Sequence, residues 1–179
     1  MRHYGRLHEL GNLCSTLVAR GLSMTLHPYE APRTFIAMNI SYLKLDSELP
    51  TPRHAHFGDG GVDLYARTDL RLEAGERALI ATGVAVAIPT GFAGLVVPRS
   101  GLAIKHGIGV ANGPGLIDTG YRGEIKVVLI NHGVEAFEIA RGERIAQLVV
   151  VPVAVQEWVQ VEELPDTDRG AGGFGSTGR

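Results

Sequence analysis

Val84-Ala-Val-Ala-Ile-Pro-Thr-Gly-Phe-Ala-Gly-Leu-Val-Val-Pro98 decides the fold class. Two apolar runs, 84–88 and 92–98, flank Pro89-Thr90-Gly91, and each has the length of a strand and not of a helix. Proline presets the backbone angle a turn needs, and glycine reaches angles a β-carbon forbids, so the stretch reads as strand, tight turn, strand. The same pattern continues outward. Short apolar runs separated by turn residues predict further strands at 41–44, 61–66, 77–81, 108–110, 124–131, 137–139, 144–152 and 155–161. Ala74-Gly75-Glu76 and Asn131-His132-Gly133 are similar punctuation. Helical spacing is suggested only near Ser100–His106, so the reading is all-β, with strand spacing that suits a barrel or jelly roll.

A chain of 179 residues is long enough for one domain with a substantial core. The formal charge of −2 carries no basic surplus, which argues against bulk nucleic-acid binding and means that any polyanionic ligand must meet local cations. The single cysteine, Cys14, excludes an intrachain disulfide framework and a Cys-based zinc site, and fits a reducing, cytoplasmic setting. Apolar runs are broken by Pro89, Thr90 and glycines, so no segment reads as a transmembrane helix. Residues 1–37 make a poor secretory signal and read as a disordered or non-native leader, with Met38 an alternative start. The strand pattern places the folded domain at 38–161, and the polar stretch from Glu162 to Asp168, carrying Pro165, reads as a linker into a tail ending at residue 179.

Four internal segments carry side chains suited to chemistry. Val97-Pro-Arg-Ser-Gly-Leu-Ala-Ile-Lys-His106 places Arg99, Ser100 and the Gly101 amide where a strand ends and a short helix begins. Unpaired N–H groups and a bidentate guanidinium there suit an anion, with Ser100 as N-cap; taken alone, the segment reads first as an ordinary cap beside a surface arginine. Ala111-Asn-Gly-Pro-Gly-Leu-Ile-Asp-Thr-Gly-Tyr-Arg-Gly-Glu124 displays Asn112, Asp118, Tyr121 and Arg122 among turn-forming glycines. Asn112 offers a donor and an acceptor for a base edge, Asp118 a general base and Tyr121 a face for a sugar; a plain Asp-Thr-Gly turn is the alternative. Gly60-Gly-Val-Asp-Leu-Tyr-Ala66 sets Asp63 on a strand, as a turn cap or a partner of magnesium-bound water. Gly142-Glu-Arg-Ile-Ala-Gln-Leu148 puts Gln147 in an apolar strand, where its amide needs a partner, from a ligand or from backbone.

The tail, Arg169-Gly-Ala-Gly-Gly-Phe-Gly-Ser-Thr-Gly-Arg179, cannot build a core. It reads as a frayed end or as a flap, with Arg169 and Ser176 for phosphates and Phe174 for a flat ring. Leu116-Ile-Asp-Thr-Gly120 also matches the apolar-apolar-Asp-Thr-Gly signature of retroviral-type aspartic proteases. There a small residue comes after the glycine, whereas Tyr121 and Arg122 stand here, and an arginine beside paired carboxylates opposes their sharing a proton.

Taken in order, the five segments resemble the trimeric dUTP diphosphatases from about Ile40 to the end. Gly60 stands where the first motif often has Ala, and residues 1–37 have no counterpart in a typical bacterial member. The resemblance implies a jelly-roll or β-clip subunit in a homotrimer, with sites at subunit interfaces closed by a flexible C-terminal arm from a neighbouring chain. It implies hydrolysis of dUTP to dUMP and pyrophosphate with Mg²⁺, keeping uracil out of DNA and supplying dUMP for dTMP synthesis. Asp118 would activate water for in-line attack on the α-phosphorus. Asn112 and the hairpin through Leu116 and Ile117 out to Lys126 would read uracil, and Tyr121 would lie under deoxyribose. Arg99, Ser100, Gly101 and Gln147 would hold phosphates, Asp63 would orient the hydrated Mg²⁺, and Arg169, Phe174, Gly175 and Ser176 would close the site. Two alternatives on this scaffold are a dCTP deaminase, against which the Asp118–Tyr121 pair and the full tail argue, and a nucleotide-responsive binding protein, which is expected to have lost its base.

Overall fold

The computed structural model describes residues 38–172. Eleven strands and one helix follow the chain: β1 Ser41–Lys44, β2 Val62–Tyr65, β3 Leu70–Leu72, β4 Arg77–Ala81, β5 Val84–Ala87, β6 Phe92–Val97, α1 Ser100–His106, β7 Ile108–Val110, β8 Gly115–Ile117, β9 Lys126–Asn131, β10 Phe137–Ile139 and β11 Arg144–Pro152. They form a four-stranded sheet in the order β2-β11-β6-β8, a three-stranded sheet β4-β9-β7, and two ribbons, β1-β5 and β10-β3. Every pairing is antiparallel. The chain is therefore all-β and of the jelly-roll kind, as its strand spacing predicts.

The strand–turn–strand reading holds around Pro89. β6 pairs with β11 from Gln147↔Val97 to Pro152↔Phe92. β9 shows how the sheets make a core: inward Val127 and Leu129 alternate with less buried neighbours, as a period of two requires. They meet Leu64, Leu72, Val96, Ile108, Ile125, Ile139 and Ile145 in one apolar cluster. The third inward position of β9 is polar, and Asn131 is fully buried there. Its Nδ2 donates to the carbonyls of Leu72 (3.0 Å) and Glu135 (2.7 Å), and its Oδ1 accepts the Gly133 N–H at 2.9 Å. Backbone groups thus pair both ends of the amide.

α1 is the helix foreseen after β6. Arg99, and not Ser100, occupies its N-cap position, and no side chain among the described residues caps it. Ser100 is already helical, so its hydroxyl cannot fold back on the first turn as an extended capping residue does. The helix ends at Gly107, whose φ of +70° and backbone bonds to Leu102 and Ala103 carbonyls form a left-handed cap. A β-carbon at Gly107 would lie 2.6 Å from the Gly133 nitrogen. Two chain segments therefore meet backbone to backbone at this point.

Three strand expectations are corrected. Residues 155–161 form no strand: Val155, Trp158 and Val159 stand exposed, and no described strand pairs with them. Valine and tryptophan suit a strand but cannot supply the neighbour it bonds to. Conversely, β3 and β8 are strands of three residues each that sequence pattern passes over. β3 is held by β10 and β8 by β6, so partners make strands of segments whose own pattern is too short to register.

Candidate active site

Two groups of polar residues lie on the four-stranded sheet and beside it. The first centres on Asp63, buried on β2 and paired across the ladder with Gln147 of β11. Gln147 in turn opposes Val97, two residues before Arg99. Strand pairing thus brings segments far apart in sequence to one carboxylate. Asp63 Oδ1 accepts Arg99 Nε at 3.1 Å and Gln147 Nε2 at 3.4 Å, and Oδ2 accepts Arg144 Nη1 at 3.4 Å. Arg99 Nη1 also donates to the Arg144 carbonyl at 3.4 Å. Two guanidiniums are held by one carboxylate, leaving net positive charge beside exposed Ser100 and Gly101. Such a surface has the charge and donors that suit an anion.

Arg144 is the member of this group that sequence reading left without a role. Its signal was the register irregularity between Arg144 and Ala146, visible only once β11 is paired with β2. The bulge turns Arg144 toward the acid although an alternating strand places it out of phase with Gln147.

The second group lies on the segment from Val110 to Lys126. Asn112 is exposed in the turn after β7. A β-carbon at Gly115 would come within 3.4 Å of the Asn112 amide nitrogen, so the amide lies against the start of β8. Leu116 is exposed on β8 while Ile117 is buried opposite Gly94. Asp118 comes next at the strand end, exposed, with no side-chain partner among the described residues. The Tyr121 N–H donates to the Asp118 carbonyl at 3.0 Å, closing a turn that carries both residues. Tyr121 folds back over Gly123, and its hydroxyl donates to the Glu124 carbonyl at 2.8 Å. A β-carbon at Gly123 would lie 2.6 Å from Tyr121 Oη, so glycine is what admits this ring position. Lys126 opens β9, exposed, opposite Ala81.

Arg122 does not play the part its position suggests. Its Nη1 donates to the carbonyls of Thr119 (2.7 Å) and Tyr121 (2.8 Å), and it makes no ion pair among the described residues. It braces the turn and keeps its charge, and the bulk of Tyr121 after Gly120 also opposes an aspartic protease. Arg169 is exposed and its Nε donates to the Gly172 carbonyl at 2.8 Å. Phe174, Gly175 and Ser176, together with the leader 1–37, lie outside the described residues.

Each group is complete in itself, yet they stand on different strands: Asp63 and Gln147 on β2 and β11, and Leu116 and Ile117 on β8 at the other edge of that sheet. Within a chain, the polar cluster suits a phosphate and the hairpin suits a nucleoside. No group of three His, Cys, Asp or Glu among the described residues could cage a metal ion. No helix among them is long and apolar enough to cross a membrane.

Comparison with known proteins shows the family. The dUTPase family model matches residues 47–178. A deoxyuridine 5'-triphosphate nucleotidohydrolase of Rhodococcus erythropolis is 51% identical over 142 residues, 79% of this chain and 87% of that one. The structure of a dUTPase of Staphylococcus bacteriophage 80alpha with dUpNHpp matches with a TM-score of 0.73 and 32% identity, covering 79% of this chain and 99% of that chain. A variant dUTPase from phage phi11 of S. aureus, described with a structural Mg(II) ion, matches with a TM-score of 0.65 and 30% identity over 70% of this chain and 98% of that chain. These relatives are nucleotidohydrolases, and the deaminase alternative is not favoured. On the family match, which spans most of the chain and both polar groups, this protein belongs to the dUTPase family.

Proposed function

We infer that the chain is a dUTP diphosphatase, a hydrolase acting on an acid anhydride and giving dUMP and pyrophosphate. The observation that carries this reading is Asp118, an exposed carboxylate with no described partner, on the turn that also carries Tyr121. A general base must be reachable by water and aimed at the reacting atom, and a carboxylate already spent on an arginine could be neither. Water attacks the α-phosphorus, its proton passes to Asp118, and the bond from that phosphorus to the bridging oxygen breaks as pyrophosphate leaves. Aspartate is a weak base, with a reference pKa of about 4, so placement of the water matters more than proton affinity.

Asn112 and the segment from β8 to the start of β9 read the uracil edge, and the Tyr121 ring lies against deoxyribose, leaving no room for a 2′-hydroxyl. Arg99, Ser100, Gly101 and Gln147, with Arg144 added, hold the phosphates. The donor set fits Mg²⁺ only as an ion carried by the substrate: Asp63 is a single carboxylate already bonded to two arginines, so it touches the ion through water. When bound, the ion offsets charge on the leaving pyrophosphate.

A homotrimer is the assembly that joins the two groups, with the hairpin of one copy facing the arginines of another. The exposed apolar residues Val155, Trp158, Val159 and Leu164 support an arm that leaves its own body for a neighbour. Arg169, Phe174, Gly175 and Ser176 then close the neighbour's site. A cytoplasmic location follows from the nucleotide pool such an enzyme serves. The test is pyrophosphate release from dUTP, dTTP, dCTP and UTP with Mg²⁺: dUTP alone should turn over, and comparable rates on dTTP would remove the specificity claim.

A further inference from the structure

A continuous path of contacts runs from the hairpin to residues that the proposed reaction does not use. It begins where the Tyr121 hydroxyl donates to the Glu124 carbonyl. The carboxylate of that same Glu124 is largely buried, accepting Arg67 Nη1 at 3.2 and 3.4 Å and the Gly83 N–H at 2.8 Å. Glu124 is thereby fixed to the start of β5 and to the segment after β2. Arg67 does not hang free at its other side. Its Nε lies 3.4 Å from Asp46, its Nη2 donates to the Leu45 carbonyl at 3.3 Å, and its own carbonyl accepts Arg141 Nη1 at 2.7 Å. Arg141 closes the arrangement by gripping both Asp46 oxygens, at 2.7 and 3.0 Å. The Arg141 hydrogen bond is the main reason that the Asp46 carboxyl is held well below the usual carboxylate range.

An isolated exposed ion pair contributes little, because ordering two long side chains offsets its Coulomb gain. Here the Arg67 guanidinium is also held by Asp46 and by the Leu45 carbonyl, so that cost is shared among several contacts and does not fall on its contact with Glu124 alone. Glu124 is 57 residues from Arg67 in sequence, so the tie joins distant segments, and it lies beside the backbone bonds from Arg67 N–H to the Ala81 carbonyl and from Ile125 N–H to the Val84 carbonyl.

We propose that Arg67 is a positioning residue for Tyr121: through Glu124 it fixes the turn from Tyr121 to Glu124 and with it the ring that meets the sugar. Arg67 itself touches neither substrate nor reacting atoms. The proposal rests on the reading that Tyr121 faces deoxyribose. Loss of the tie lets the turn drift, so the ring no longer sits at one height against the ribose face. Recognition of the sugar suffers first, since Asp118 directly follows Ile117, which β6 holds, and the phosphate arginines stay bonded to Asp63.

The test is steady-state kinetics on the full-length enzyme with dUTP and UTP, for wild type, Arg67→Ala, Tyr121→Phe and the double variant. Tyr121→Phe keeps the ring and removes the hydroxyl that bonds Glu124. Each single variant should raise KM for dUTP and narrow the dUTP-to-UTP ratio of kcat/KM by roughly 5–30-fold, the range that one or two kcal/mol spans. The double variant should match the worse single variant within about 2-fold, because both changes cut one path. Full multiplication of the two losses, or an Arg67→Ala enzyme with wild-type KM and wild-type sugar ratio, overturns the proposal. Should Arg67→Ala fail to fold, Arg67→Lys is held to the same two criteria. Failure of the underlying reading shows separately, as a wild-type enzyme that does not prefer dUTP over UTP.

Discussion

Gly123→Ala probes the Tyr121 ring from the opposite side to Arg67. A methyl at this position would stand 2.6 Å from Tyr121 Oη, 2.8 Å from Cζ and 3.1 Å from Cε2. Ordinary carbon contacts begin near 3.5 Å, so the ring must retreat by about 1 Å. A hydroxyl now 2.8 Å from the Glu124 carbonyl then passes beyond bonding distance, a loss of about 0.5–1.5 kcal/mol. The backbone at Gly123 is outside the left-handed region, so alanine is unstrained there and narrows the unfolded ensemble, a gain of about 0.4–1 kcal/mol. These two effects nearly cancel, and because Tyr121 is 41% exposed it can swing into solvent without opening the core. The variant should therefore fold with a stability within about 1 kcal/mol of wild type. Catalysis should not be spared: a 1 Å misplacement in a positioning group can cost up to about 100-fold, and a 10- to 100-fold fall in kcat/KM for dUTP is expected. Urea denaturation and steady-state kinetics measured on the same preparation separate the two. A wild-type KM and kcat would refute the placement of the ring at the sugar, and a large fall in the urea midpoint would show that Gly123 serves the fold instead.

Asp118→Asn should lower kcat by at least 10²-fold while binding of a non-hydrolysable dUTP analogue and the melting temperature stay near wild type, since the exposed carboxylate supports no described contact. Asn131→Ala removes two donated bonds and one accepted bond from a fully buried site and should cost about 3 kcal/mol by denaturant midpoint, with dUTP recognition unchanged in the folded fraction. Asp46→Asn tests the charge network by pH. Because the folded pKa lies below the unfolded value of about 3.9, the carboxylate's contribution is complete above that pH and is lost as pH falls toward the folded value. Wild type should therefore lose more stability than Asp46→Asn between about pH 4 and pH 2, and parallel curves would show that the Arg141–Asp46 contact does not contribute.

The strands around Pro89 were legible because both signals are local: a proline-glycine turn and apolar runs of strand length need no knowledge of the rest of the chain. The site residues were legible as segments for the same reason, since Asn112, Asp118 and Tyr121 lie within one glycine-rich stretch. What the residues do to one another was not. Arg67 and Glu124 carry no mark in sequence, because a guanidinium beside β2 and an acid after a glycine are ordinary surface residues until β4 and β5 bring them together. Arg144 illustrates the same point at one remove, for its partner Asp63 is visible only through the register of β11. Residues 155–161 err in the opposite direction: their valines and tryptophan favour a strand, but a strand is a property of a pair. Sequence pattern reports what a segment offers, and long-range pairing decides what is taken up. The side chains that supply chemistry are therefore read early, while those that hold them in place emerge only from the fold, and that is where a substitution distant in sequence should alter specificity without touching the substrate.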